Sequence, residues 1–171
     1  GMCKKRIKMG QLYKSNGEME RARMEYLNVL QYCNNPVNIN SVPVNELLVA
    51  RQSAMVNLGT LFIDLNQFVA AMQILQDSLV SCQFTDMTNI RTALQEMTRL
   101  GNMTGNQELT QRAEGALAVL FPAKPKDVVF ILDYSGSMSG GRIRKAVDNL
   151  LMVYDQYVSD FDNVMMITFN R

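Results

Sequence analysis

The sequence predicts a mainly α chain, with three helical hairpins over residues 1–122 followed by a short α/β strand–helix–strand unit over residues 123–171. Three observations carry this expectation. Apolar residues recur at helical spacing from Cys3 to about Leu120. A set of residues in the first hairpin returns at the same offsets 49 residues later. From Lys124 onward the pattern becomes apolar run, amphipathic stretch, apolar run. Between the two regions, Phe121-Pro122-Ala123-Lys124-Pro125-Lys126 carries two prolines, which interrupt helix continuation and suit a short, stiff linker.

The repeat is visible residue by residue. Met9-Gly10, Tyr13, Gly17, Ala22 and Tyr26 correspond to Leu58-Gly59, Phe62, Asn66, Ala71 and Leu75. Each set has a steric meaning. Gly10 and Gly59 let a paired helix approach closely, Gly17 and Asn66 fall where a turn between helices needs positive φ, and Ala22 and Ala71 admit bulky neighbours. Between the copies, Asn34-Asn35-Pro36-Val37-Asn38-Ile39-Asn40-Ser41-Val42-Pro43 is rich in turn formers and reads as an inserted loop. A third helical pair is expected over about Thr85–Gly101 and Asn106–Leu120, with Ala93, Leu94, Met97 and Leu100 at helical spacing and a turn between Gly101 and Gly105. Its match to the other two copies is poor.

These offsets resemble the tetratricopeptide repeat, with Phe68 at that repeat's second aromatic position and Met19 in the corresponding place of the first copy. The departures are the longer period, against about 34 residues in such arrays, and Arg6 and Met55 where a large aromatic usually opens the repeat. The resemblance implies a minimal solenoid of stacked hairpins whose concave groove receives a peptide of a protein partner. No carboxylate-clamp set of Lys and Asn positions stands out. The basic run Lys4, Lys5, Arg6, Lys8 is followed by Glu18, Glu20 and Glu25 and reads as a solvated helix face.

The second region begins with Asp127-Val128-Val129-Phe130-Ile131-Leu132, an apolar run rich in β-branched residues. Such a run is expected of a parallel strand buried on both faces. A helix is expected from about Arg142 to Val158, with Ile143, Ala146, Val147, Leu150, Leu151, Val153 and Tyr154 on its apolar side, and a second strand over Asn163–Phe169. In such a βαβ unit the functional loop lies past the carboxyl end of the strand, where Asp133 to Gly141 falls.

That loop, Asp133-Tyr134-Ser135-Gly136-Ser137-Met138-Ser139-Gly140-Gly141, offers one carboxylate and hydroxyls at alternate residues, with glycines that let the backbone bend. Asp133, Ser135 and Ser137 oxygens thereby come within reach of one point. Hard oxygen donors of low total charge suit Mg²⁺ in an open, partly hydrated site. Three rival chemistries at this position are disfavoured. Gly136 is followed five residues later by Gly141-Arg142-Ile143, which lacks the Lys and hydroxyl of a phosphate-binding loop. The dinucleotide pattern G-x-G-x-x-G is absent. Gly136-Ser137-Met138-Ser139-Gly140 has the form of a nucleophile elbow, yet the chain contains no His to serve as its base.

Asp133-Tyr134-Ser135-Gly136-Ser137 resembles the D-x-S-x-S motif of the von Willebrand factor type A domain, and Asp162-Asn163-Val164-Met165-Met166-Ile167-Thr168-Phe169-Asn170 resembles that domain's second strand, where Thr-Phe is usual. The resemblance covers roughly the last quarter of the chain. It implies a doubly wound sheet with a metal-ion-dependent adhesion site, in which Ser135 and Ser137 ligate Mg²⁺ directly and Asp133 does so directly or through water. A protein partner then completes the coordination with an acidic side chain. Members take a Thr and a further Asp from later loops, so this stretch is expected to be the truncated N-terminal part of the domain and to hold Mg²⁺ weakly or not at all.

Composition narrows the rest. With 17 Lys+Arg against 16 Asp+Glu among 171 residues, wholesale electrostatic capture of nucleic acid is excluded, and so is disorder driven by charge. The lack of His removes every mechanism that needs an imidazole, and no enzyme activity is expected. Cys3, Cys33 and Cys82 fit neither a disulfide framework nor a C-x-x-C metal site, and read as reduced, buried small residues of a cytoplasmic protein. No run approaches 18 uninterrupted apolar residues, so no membrane partner is expected. Gly1 ahead of Met2 reads as an expression remnant. The function expected is a protein–protein interaction scaffold combining a helical-repeat surface with a metal-dependent one. An adaptor subunit of an ATPase- or chelatase-type complex is the alternative, and an inert helical fragment with a loop that holds no metal is a third.

Overall fold

The computed structural model describes residues 1–81, 86–122, 124–133, 140–158 and 162–169. Chain contacts divide the molecule into two compact units, Gly1–Pro122 and Ala123–Arg171.

Among the described residues, the regular structure of the first unit is helical: α1 (Met2–Ser15), α2 (Met19–Asn34), α3 (Pro36–Ser41), α4 (Val44–Asp64), α5 (Phe68–Ser81), α6 (Met87–Thr104) and α7 (Gln107–Leu120). Helices α1 and α2, α4 and α5, and α6 and α7 pair as antiparallel hairpins, and the hairpins stack through α2 on α4 and α5 on α6. All three hairpin turns close the same way. The amides of Glu18, Gln67 and Asn106 donate to the carbonyls of Tyr13, Phe62 and Gly101 at 2.8, 2.8 and 2.9 Å, the six-residue closure of a Schellman turn. Each turn places its penultimate residue in the left-handed region: Gly17 at φ 81°, Asn66 at φ 58° and Gly105 at φ 69°.

The turns also show why the third hairpin escapes the repeat pattern. Counted back from the closing amide, Gly101 stands where Tyr13 and Phe62 stand in the first two hairpins. Small has replaced large. A Cβ at Gly101 would lie 2.9 Å from the Thr110 amide nitrogen and 3.0 Å from the Asn106 carbonyl oxygen, so here the close approach falls at the turn itself. Asn106 caps α7, accepting from the Leu109 amide at 3.1 Å, and Asp86 caps α6 by accepting from Asn89 at 3.0 Å.

The stretch expected as an inserted loop instead contains α3. Asn35 accepts from the Val37 amide at 2.9 Å, and Pro36 occupies the first turn, where its missing N–H goes unused. A turn-rich composition here reflects good capping residues rather than absence of helix. Pro43, the last residue of that stretch, precedes α4, which runs for 21 residues.

Helix α4 contributes to both apolar clusters of this unit. Leu47, Ala54, Leu58 and Leu61 join Ile7, Ala22, Tyr26, Val29 and Cys33 in one. Val56 and Ile63 join Ala71, Leu75, Ile90, Leu100 and Leu109 in the other. A helix clad on two sides is apolar over most of its circumference, as α4 is. Its buried Gln52 donates from Nε2 to the Ser78 carbonyl at 3.0 Å, tying α4 to α5.

The second unit consists of β1 (Asp127–Asp133), α8 (Gly141–Tyr157) and β2 (Asn163–Phe169), with the strands parallel and in register from Asp127 opposite Asn163 to Asp133 opposite Phe169. Strand β1 is not buried on both faces. Val128, Phe130 and Leu132 are half-buried, while Val129 and Ile131 are 52% and 67% exposed. One crossover helix covers one face of a sheet. Phe130 marks the covered face, its ring 6.4 Å from that of Tyr154 on α8. On α8 the half-buried residues Ile143, Ala146 and Leu150 form the inner stripe, and Val147, Leu151 and Val153 of the expected apolar side remain exposed.

Candidate functional site

In the second unit the parallel register sets both strands running the same way, so the carboxyl ends of β1 and β2 share one edge. Asp133 is the last residue of β1 and lies on that edge, its backbone opposite Phe169. The chain re-enters regular structure at Gly140, which has φ 74° and precedes the first turn of α8. Ser135 and Ser137, the other two expected metal residues, lie outside the described residues, and of Asp133 only the backbone is described. Among the described residues, no three Cys, Asp or Glu side chains gather into a metal-binding group.

The opposite edge carries a polar clasp not anticipated from the sequence. Asp162, whose side chain is 1% exposed, accepts from the Lys126 amide at 3.0 Å and forms an ion pair with its Nζ. Asn163 donates from Nδ2 to Asp127 Oδ1 at 2.9 Å, and its amide donates to the Lys126 carbonyl at 3.0 Å. These bonds fix the strand register at the amino ends. That register brings the carboxyl ends level.

In the first unit a cavity of about 740 Å³ opens between the amino-terminal parts of α1, α4 and α6. Ile7, Leu47, Val49 and Ala50 supply apolar wall, and Lys4 and Asp86 supply charge. Most of the wall comes from the first helix of each hairpin, with Tyr32 of α2 and Val42 completing it, the arrangement a solenoid produces when its hairpins stack in order.

At the other end of the same three helices, Asp64 binds two cations. Lys14 Nζ lies 2.7 Å from Oδ2 and Arg99 Nη1 lies 2.9 Å from Oδ1, and Arg99 also reaches Glu96 at 2.7 Å. Burial alone opposes ionisation of Asp64, but hydrogen bonds and charge from Lys14 and Arg99 outweigh it and hold the carboxyl below its usual range. This chain of charges links the three hairpins. The basic run of α1 is divided in role: Arg6 pairs with Glu25 at 3.2 Å, and Lys4 lines the cavity.

The cysteines depart from the expectation that all are buried. Cys33 is 5% exposed, Cys3 is only partly buried and lines the cavity, and Cys82 lies outside the described residues.

Compared with known proteins, the chain matches no family model, no curated protein and no solved structure. None of the helices among the described residues is long and apolar enough to cross a membrane.

Proposed function

We propose that the chain is a protein–protein interaction scaffold. Its Gly1–Pro122 unit offers a tetratricopeptide-like binding surface, and its Ala123–Arg171 unit is the N-terminal part of a von Willebrand type A domain with a Mg²⁺ site at Asp133, Ser135 and Ser137. The carrying observation is the set of three hairpins closed by the same turn, stacked so that their first helices wall one cavity. An apolar wall with flanking charge suits a peptide that inserts an apolar side chain and aligns by polar contacts.

The metal reading is supported by the position of Asp133 at the carboxyl edge of a parallel pair, and by a donor set of one carboxylate and two hydroxyls. Those are the hard oxygens Mg²⁺ selects. When bound, the ion would offer an open coordination position to an acidic side chain of a partner. Isothermal titration of the chain with Mg²⁺ and Mn²⁺ tests this, with weak binding expected, in the millimolar range. Loss of the signal in Asp133→Ala is the expected result. Absence of any signal, or an undiminished one in that variant, removes the metal role and leaves the helical surface standing alone.

A further inference from the structure

Helix α1 presents Cys3 in its first turn, and α2 presents Cys33 in its last. The antiparallel hairpin brings these ends together, and the Cys33 side chain lies close enough to act on the Cys3 thiol. Cys33 sits in the apolar cluster with Tyr26 and Val29, and Cys3 packs against that cluster while also lining the cavity. Cys3 therefore borders the cavity, and Cys33 belongs to the buried cluster against which Cys3 packs.

We propose that Cys3 and Cys33 are a two-thiol redox site that closes to an intramolecular disulfide by exchange with a small disulfide such as oxidised glutathione. The asymmetry of exposure sets the order of events. The Cys3 thiolate attacks one glutathione sulfur, forming a mixed disulfide and releasing the first glutathione as a thiolate, which takes up the proton Cys3 lost. Cys33 then gives up its proton and attacks Cys3 Sγ. The Cys3–Cys33 bond forms, the second glutathione leaves and that proton ends on it. Two protein thiols are oxidised and one glutathione disulfide is reduced to two thiols.

Burial raises the Cys3 thiol, against the lowering influence of the Cys33 side chain, Arg6 and the amino terminus. Thiolate is scarce at neutral pH, so the exchange is slow there and is best followed under mildly alkaline conditions. The bond closes a loop of about 30 residues, for which constraint of the unfolded chain corresponds to a melting temperature higher by roughly 10 °C.

The full chain carrying Cys82→Ser, incubated with oxidised glutathione, tests the site by intact mass and thermal melting. The expected product is monomeric, lighter by two hydrogens, higher-melting, and returned to its starting state by dithiothreitol. Cys33→Ser in the same background should stop at the glutathione adduct on Cys3, and Cys3→Ser should remain unmodified while folded. An adduct on Cys3 that persists with Cys33 present would overturn the proposal. So would a cross-link between two copies, a lowered melting temperature on oxidation, or no reaction.

Discussion

The ring of Tyr26 rests on the backbone of Gly10, where a Cβ would lie 2.8 Å from Cζ. Forty-nine residues on, Leu75 rests on Gly59 in the same way, with a Cβ there 2.6 Å from Cγ. Substituting Gly10→Ala drives a methyl into a rigid ring that is fully buried, whereas at Gly59 the obstruction includes a branched side chain with more freedom to turn. Overpacking of this kind costs about 1–3 kcal/mol. Urea unfolding should place Gly10→Ala at the upper end and Gly59→Ala below it, and equal stability of Gly10→Ala and wild type would contradict the close approach.

Tyr26 carries a second consequence. Its hydroxyl is buried with no hydrogen-bond partner among the described residues. An unsatisfied buried polar group destabilises by roughly 1–3 kcal/mol, so Tyr26→Phe should stabilise the protein by about 1 kcal/mol. Burial also pushes the phenol up to about 12 from 10. The folded state therefore keeps the proton that the unfolded state releases, and the associated stability is complete below pH 10 and lost between about pH 10 and pH 12. Tyr26→Phe should flatten this alkaline fall in a pH series of urea midpoints.

Asp64 behaves in the opposite sense. Its carboxyl is held below its usual range by Lys14 and Arg99 against the effect of burial, so the stability it confers is present above pH 4 and disappears as acid protonates the folded state. The pair is partly exposed, and solvent screening limits its worth to ~1 kcal/mol at pH 7. Asp64→Asn should lose that amount at pH 7, less in high salt, and become indistinguishable from wild type at strongly acidic pH. A deficit of the same size at every pH would point to lost packing instead of lost charge.

The repeated hairpins were legible because their signals are local. Gly17 and Asn66 mark turns that demand positive φ, and Gly10 and Gly59 mark close helix approach; each requirement restricts the residue type at a fixed offset. The third hairpin satisfies the same turn with a different pairing of large and small, Gly101 against Thr110, so an offset search weakens there although the fold continues. Helix α3 was hidden because Asn35 and Pro36 serve equally as turn formers and as helix starters. The exposure of Val129 and Ile131 was hidden for another reason: an apolar run states what a strand tolerates on each face, not how many layers cover it. At the loop after β1, the sequence proposes oxygen chemistry at Asp133, Ser135 and Ser137. The fold contributes the strand end and the helix start that bracket it. The link from Asp64 to both Lys14 and Arg99 had no sequence signal, because three surface charges become neighbours only through the stacking of hairpins.

The double membership of α4 bears on how the first unit comes apart. Peeling away α1 and α2 bares the flank carrying Leu47, Ala54, Leu58 and Leu61 while Val56 and Ile63 stay wrapped; loosening α6 and α7 does the reverse. Either end can fray without releasing the middle, so the amide protons of α4 should be the last to trade with deuterated solvent, and slow exchange should fade outward from that one helix in both directions.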